Sequence, residues 1–192
     1  MNNKPSIILA SQSPRRKMLL KQIDLDFNVV SSSVHEDFNI SLKPIDFAMH
    51  YAKLKALDVA ENYKDNLVIG ADTIVVLNDE IIGKPKDEAD SKSILRKLSN
   101  NTHQVITGIA LIWQEKNIID VFNEITDVTF QNLTDGQIQY YIDNYHPFDK
   151  AGSYGIQDWF AVCVRKIDGC FYNVMGFPLA NFYEHYLKII ED

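Results

Sequence analysis

Apolar and polar residues fall along this chain in blocks whose spacing alternates between that of strands and that of helices. Ser6 to Ala10 is an apolar run that predicts a buried strand. Pro14 to about Gln22 follows as a helix, with Ser13 as its N-cap and Pro14 in the first turn, where a missing N–H costs nothing. Phe27 to Ser31 predicts a short second strand, and the polar stretch Ser32 to Lys43 a loop. Pro44 opens a long helix in which Ile45, Ala48, Ala52, Ala56, Val59 and Ala60 recur at helical spacing. Leu67 to Leu77 predicts a buried strand, Asn78-Asp79 a turn, and Glu80 to Ile82 a strand pairing back as a hairpin.

The second half continues the alternation. Asp87 to Leu98 predicts a helix with distinct polar and apolar faces. Val105 to Trp113 and Ile118 to Phe130 predict two long strands joined by a polar turn at Gln114 to Asn117. Thr134-Asp135 caps a helix reaching about Asn144, and Phe148 to Gln157 reads as a functional loop. Ala161 to Ile167 and Phe171 to Val174 predict strands around an Asp168-Gly169 turn, and Pro178 opens a final helix to Ile190. No repeat, low-complexity tract or Pro/Gly/Ser-rich linker divides the chain. The pattern predicts a mixed α/β fold, as one domain or as two halves sharing a sheet.

Composition narrows the function classes. A hydrophobic content of 46% supports a packed core and excludes wholesale disorder. The formal net charge of −7 argues against nonspecific binding to nucleic acid or to an anionic membrane. Any anionic ligand must therefore meet a local basic pocket. The two cysteines, Cys163 and Cys170, have no metal-type spacing and make no disulfide framework; both are expected reduced, in or near strands. The apolar stretch before Ser11 is too short for a signal peptide, and nothing approaches a membrane span, so a cytoplasmic protein is expected.

Candidate chemistry gathers at a few places. Ser11, Ser13, Arg15 and Arg16 stand where a helix begins. Arginine is poorly placed against the positive end of a helix dipole unless an anion is present, which points to a phosphate chain; the alternative is a capped, solvated helix start. Asp72-Thr73 interrupts an apolar strand directly after Gly70-Ala71, whose small size would let a ligand approach the backbone. Aspartate is disfavoured inside strands, and metal binding or water activation would account for it. Gly83-Lys84-Pro85 in isolation is an ordinary turn. Lys55 lies on the long helix, where Lys53 could be the solvent-facing partner, and Glu36 sits in a polar loop that alone carries no signal. The run Asp149-Lys150-Ala151-Gly152-Ser153-Tyr154-Gly155-Ile156-Gln157 combines an ion pair, glycines and an amide able to read a base edge; the alternative is a surface turn.

Taken together these segments resemble the Maf family of nucleoside triphosphate pyrophosphatases. Leu9 to Arg16 is similar to the opening motif, Gly70-Ala71-Asp72-Thr73 and Gly83-Lys84-Pro85 to the central ones, and Thr107-Gly108 follows in place. Asp149 to Gln157 resembles the late motif and Asn173 to Leu179 the closing one. The resemblance spans nearly the whole chain. It implies an elongated mixed sheet with flanking helices and a central cleft, of the inosine-triphosphatase-like type, over residues 1–192 as a single domain of two lobes. It also implies Asp72 as general base, Arg15 and Arg16 on phosphates, Lys55 and Lys84 neutralising the chain, and Glu36 joining Asp72 on a divalent cation, Mg²⁺ or Mn²⁺. Arg15, Thr73 and Gln157 match positions tied to substrate choice, and Tyr154-Gly155-Ile156-Gln157 is similar to the branch acting on dTTP and UTP.

The implied partner is a nucleoside triphosphate, with no nucleic acid or membrane and with a homodimer plausible. The alternatives are hydrolysis of non-canonical or methylated purine nucleotides, or a nucleotide-binding regulator of cell division. Three residues depart from the family pattern. Asp158 stands where glycine is frequent and touches loop geometry near the base. His35 stands where an aspartate is common, and Phe177 where leucine is usual.

Overall fold

The computed structural model describes residues 5–191. Strands β1 (Ile7–Leu9), β2 (Asn28–Val29), β3 (Leu67–Leu77), β4 (Glu80–Ile82), β5 (Thr102–Trp113), β6 (Ile118–Phe130) and β7 (Val164–Asp168) form one sheet. Its order is β2-β1-β3-β5-β6-β7, with β4 paired to β3 beside that path. β1 runs parallel to β2 and β3; the other pairings are antiparallel. Helices α1 (Pro14–Gln22), α2 (Pro44–Ala60), α3 (Glu88–Leu98), α4 (Asp135–Tyr145), α5 (Phe171–Val174) and α6 (Leu179–Glu191) flank it. The mixed α/β sheet with flanking helices matches the class expected. Among the described residues, no helix is long and apolar enough to cross a membrane.

The pairing of β3 creates the feature on which the site is built. β1 covers one edge of β3 at Leu67 to Ile69, and β4 covers the same edge at Val75 to Leu77. Between them Gly70 to Ile74 has a strand partner only on the other side, in β5. The sheet therefore carries a notch beside the carboxyl ends of its parallel strands, where open α/β sheets commonly take ligands.

Two walls rise from the notch. α1 enters through the Ser13 cap, whose Oγ accepts from the Arg16 amide at 3.5 Å, and it buries Leu19 and Leu20. Burial of those leucines contributes about 1.5–3 kcal/mol each, more than the roughly 1 kcal/mol of a cap. Packing holds α1 in place, and the cap aims its start. α2 lies on the opposite face of the sheet, and its alanine stripe replaces the usual bulky contact. A Cβ at Gly70 would lie 2.2 Å from the Ala52 carbonyl oxygen, and one at Gly108 2.3 Å from that of Ala48. The small residue at 70 therefore serves helix packing; the expected close approach of a ligand there is corrected, because α2 fills the space.

Three further readings are corrected. Phe171 to Val174 is the helix α5, because buried Asn173 donates to the carbonyls of Val105 and Glu124 and to Thr126 Oγ1 and so turns the segment onto β5 and β6. Trp159–Cys163 is a 3₁₀ turn capped by Asp158, which delays β7 to Val164. β5 begins at Thr102, ahead of Val105, because buried His103 extends its inward face. Cys163 and Cys170 form no disulfide; Cys163 closes the 3₁₀ turn and Cys170 precedes α5.

Candidate active site

All twelve candidate residues line one cavity of about 1130 Å³ at the notch: Ser11, Ser13, Arg15, Arg16, Glu36, Lys55, Asp72, Thr73, Lys84, Asp149, Lys150 and Gln157. Seven Lys or Arg and five Asp or Glu side chains line it, so its charge is net positive inside a chain of net charge −7.

Successive β3 side chains point to opposite faces, so Asp72 and Thr73 serve different walls. Asp72, almost fully buried, faces α2 and accepts from Lys55 Nζ at 2.7 Å. Lys55 also donates to Glu36 Oε1 from the Ser32–Lys43 loop, and Lys53 is exposed to solvent. One ammonium thus holds two carboxylates together. Burial would raise the Glu36 carboxyl, but the hydrogen bond and charge of Lys55, with the charge of Lys84, hold it below its ordinary value. Phe38 follows in the same loop and lies 3.4 Å from a Cβ built on Gly83, so the loop spans from α2 to the β4 turn that carries Lys84.

Thr73 faces the other wall. Its Oγ1 accepts from Arg16 Nη2 at 2.9 Å and lies 3.0 Å from Thr107 Oγ1. The remaining Arg16 bonds run from Nη1 to the Ala71 carbonyl (2.9 Å) and Ser11 Oγ (3.2 Å), and from Nε to the Gly176 carbonyl (3.0 Å). The guanidinium thus satisfies a carbonyl that the notch leaves without a strand partner. Four of its five N–H groups are committed to the protein, and one on Nη2 is left over. Burial lowers its pKa to about 10, partly offset by Asp72, so it stays cationic at neutral pH.

Arg15 bridges to Asp149 at 3.0 Å, and Lys150 holds the same carboxylate at 2.8 Å. Burial would raise Asp149; Lys150 and Arg15 outweigh it and hold the carboxyl low. This ion-pair chain ties the start of α1 to the late loop. The Gln157 side chain is exposed toward the cavity and has no hydrogen-bond partner among the described residues.

The sequence reading assigned no role to Asn173 or to the Gly176 carbonyl. Asn173 anchors α5 and thereby presents Gly176 to Arg16. The available signal was an asparagine and a glycine on either side of Val174-Met175 in the closing segment. A polar residue at its helical position there marks a buried hydrogen-bond hub only once the neighbouring carbonyls of β5 and β6 are known.

Among the described residues no group of three or more His, Cys, Asp or Glu side chains could hold a metal ion by itself. Glu36 and Asp72 supply two hard oxygen donors brought within reach of one small cation, since both already meet a single nitrogen. Two carboxylates fit a magnesium-like ion that takes its other ligands from phosphate and water.

An α/β sheet with a notch, a cationic rim and a carboxylate–lysine–carboxylate cluster defines the class of enzyme-like clefts that handle phosphorylated small molecules. The chain belongs to the Maf family: the family described as "Maf-like protein" matches residues 6–189. It is 44% identical over 184 residues to a dTTP/UTP pyrophosphatase of Cytophaga hutchinsonii, covering 95% of this chain and 84% of that one. It is 48% identical over 174 residues to one of Bacillus mycoides (91% and 90% covered) and 45% identical over 184 residues to one of Flavobacterium psychrophilum (95% and 93%).

Proposed function

We propose that the protein is a nucleoside triphosphate pyrophosphatase that hydrolyses the α–β phosphoanhydride of dTTP and UTP to the monophosphate and pyrophosphate. The observation that carries this reading is the meeting of Asp72, Lys55 and Glu36 with the Arg16 wall across one notch. Relatives named dTTP/UTP pyrophosphatase over most of the chain support the substrate pair.

In this reading Asp72 accepts a proton from the attacking water or aligns it for in-line displacement at the α-phosphorus. Lys55 holds the Asp72 carboxylate in place, then follows the charge that develops on the phosphates. Arg16, already fixed by four hydrogen bonds, offers its remaining N–H and its charge without needing to reorganise. Arg15, Lys84 and Lys150 add further cations for the departing pyrophosphate. Ser11 and Ser13 orient Arg16 and the first turn of α1. Glu36 and Asp72 would hold Mg²⁺ or Mn²⁺, which when bound supplies charge neutralisation on the phosphates and a more acidic water. Gln157, free to donate and accept at once, reads the pyrimidine edge.

The test is a panel of nucleoside triphosphates with Mg²⁺ or Mn²⁺, products being separated as monophosphate plus pyrophosphate or as diphosphate plus phosphate. Release of pyrophosphate with preference for dTTP and UTP is expected. Orthophosphate release, or a preference for purine nucleotides, would overturn the reading.

A further inference from the structure

Among the described residues the Gln157 side chain has no hydrogen-bond partner, so its aim is set by the backbone that carries it. That backbone is latched from behind. The Gly155 N–H donates to Tyr141 Oη at 2.9 Å, and the Tyr141 hydroxyl donates to Asp158 Oδ2 at 3.0 Å. The second carboxylate oxygen, Oδ1, accepts from the Phe160 N–H at 3.0 Å. One carboxylate therefore clamps the residues on both sides of Ile156-Gln157, using a tyrosine as relay.

The relay is rigid. Tyr141 is fully buried on α4, packed on Phe160 with ring centroids 4.8 Å apart, and α4 begins in a reciprocal Thr134–Gln137 capping box. Burial, reinforced by the Asp158 charge, pushes the Tyr141 hydroxyl well above its ordinary pKa, so it remains a donor. A Cβ at Gly155 would lie 2.5 Å from Asp158 Oδ2, so the latch closes only over a glycine. Neither Tyr141 nor Asp158 lines the cavity.

We infer that Asp158, acting through Tyr141, is the positioning residue that sets base discrimination by fixing where Gln157 stands. This rests on the proposed function, and it places specificity partly in a carboxylate that never meets the nucleotide. The glycine frequent at this position in the family pattern could supply neither bond.

Three variants test it: Tyr141→Phe, Asp158→Gly and Asp158→Asn. The first two leave a buried donor or acceptor unpartnered and free the segment. They are expected to lower the ratio of kcat/KM for UTP over CTP by about tenfold, because one buried hydrogen bond is worth roughly that factor. Inhibition by inorganic tripolyphosphate, which reports the cationic wall alone, is expected to stay within about twofold of wild type. Asp158→Asn keeps an oxygen for Phe160 and turns an N–H toward the Tyr141 oxygen, but leaves the Tyr141 O–H without its acceptor, so its ratio is expected between those of wild type and Asp158→Gly. Deuterium exchange at Gly155 to Gln157 reads the latch without catalysis and should accelerate most in Tyr141→Phe and Asp158→Gly.

An unchanged UTP/CTP ratio in Tyr141→Phe or Asp158→Gly overturns the inference. So does a parallel loss of tripolyphosphate affinity, or undiminished exchange protection. Should Tyr141→Phe fail to fold, Asp158→Gly and Asp158→Asn carry the same comparison. A wild-type enzyme without preference for dTTP and UTP defeats the functional proposal, while the exchange measurement still decides whether the latch exists.

Discussion

At the scale of single residues, the cluster at Lys55 makes the sharpest demands. Asp72→Asn retains the shape and the contact with Lys55 but cannot accept a proton. Turnover is expected to fall by roughly 10²–10⁴-fold with little change in melting temperature. Near-normal pyrophosphate release from that variant would remove Asp72 from the mechanism. Lys55→Met leaves two neighbouring carboxylates without their shared cation. Loss of these charge-assisted bonds is expected to cost about 2–3 kcal/mol in unfolding free energy, measured by urea titration. Of this cluster, Lys55 and Glu36 were marked only by the family resemblance, whereas Asp72 was legible, because aspartate inside an apolar strand contradicts local preference and demands an explanation. Asn173 was not, because nothing in a short apolar segment announces which carbonyls will surround it. Asn173→Asp would point an acceptor at the carbonyls of Val105 and Glu124, and a loss of roughly 3 kcal/mol is expected from the same titration.

At the scale of elements, periodicity served well where a segment is long or capped. Pro14 to Gln22, Leu67 to Leu77 and Ile118 to Phe130 stand in the fold with the bounds their patterns give. It failed at Phe171 to Val174, where four residues are too few for alternation to be told from a helical turn, and side-chain bonds from Asn173 decide the outcome. The notch in β3 was also out of reach. It arises from two strands sharing one edge, a property of pairing rather than of any single segment. The seating of α2 has its own test. Gly70→Ala would drive a methyl group onto the Ala52 backbone and is expected to cost at least about 1–3 kcal/mol. Because α2 carries Lys55, its activity should fall further than its stability alone accounts for, as seen by assaying well below the melting temperature.

At the scale of the whole molecule, stability is expected to depend on pH through a buried histidine that stands behind the cavity lining. Burial lowers the pKa of His103 from 6.5 to about 4. The unfolded chain takes up a proton there below pH 6.5, which the folded chain refuses until about pH 4. Stability is therefore full above 6.5 and declines as the pH falls through that window, by at most about 1.4 kcal/mol per unit. His103→Gln, which keeps a polar group near Tyr154, should melt with a flatter profile between pH 6.5 and 4.5. A profile as steep as that of the wild type would assign the dependence elsewhere.

The seam between α2 and the sheet leaves no slack. Backbone meets backbone at Gly70 and Gly108, so Lys55 and Asp72 ride on an anvil, and any breathing of the cleft is confined to the jaw opposite. That jaw is made of loops, Ser32 to Lys43 and Phe148 to Gln157, which meet the cavity through the Glu36–Lys55 and Asp149–Arg15 ion pairs and are held from behind by Ser33 on Asp58, Asp37 on Tyr51 and Gly155 on Tyr141. A nucleotide arriving between them thus meets a close-packed backbone seam on one side and loop side chains on the other.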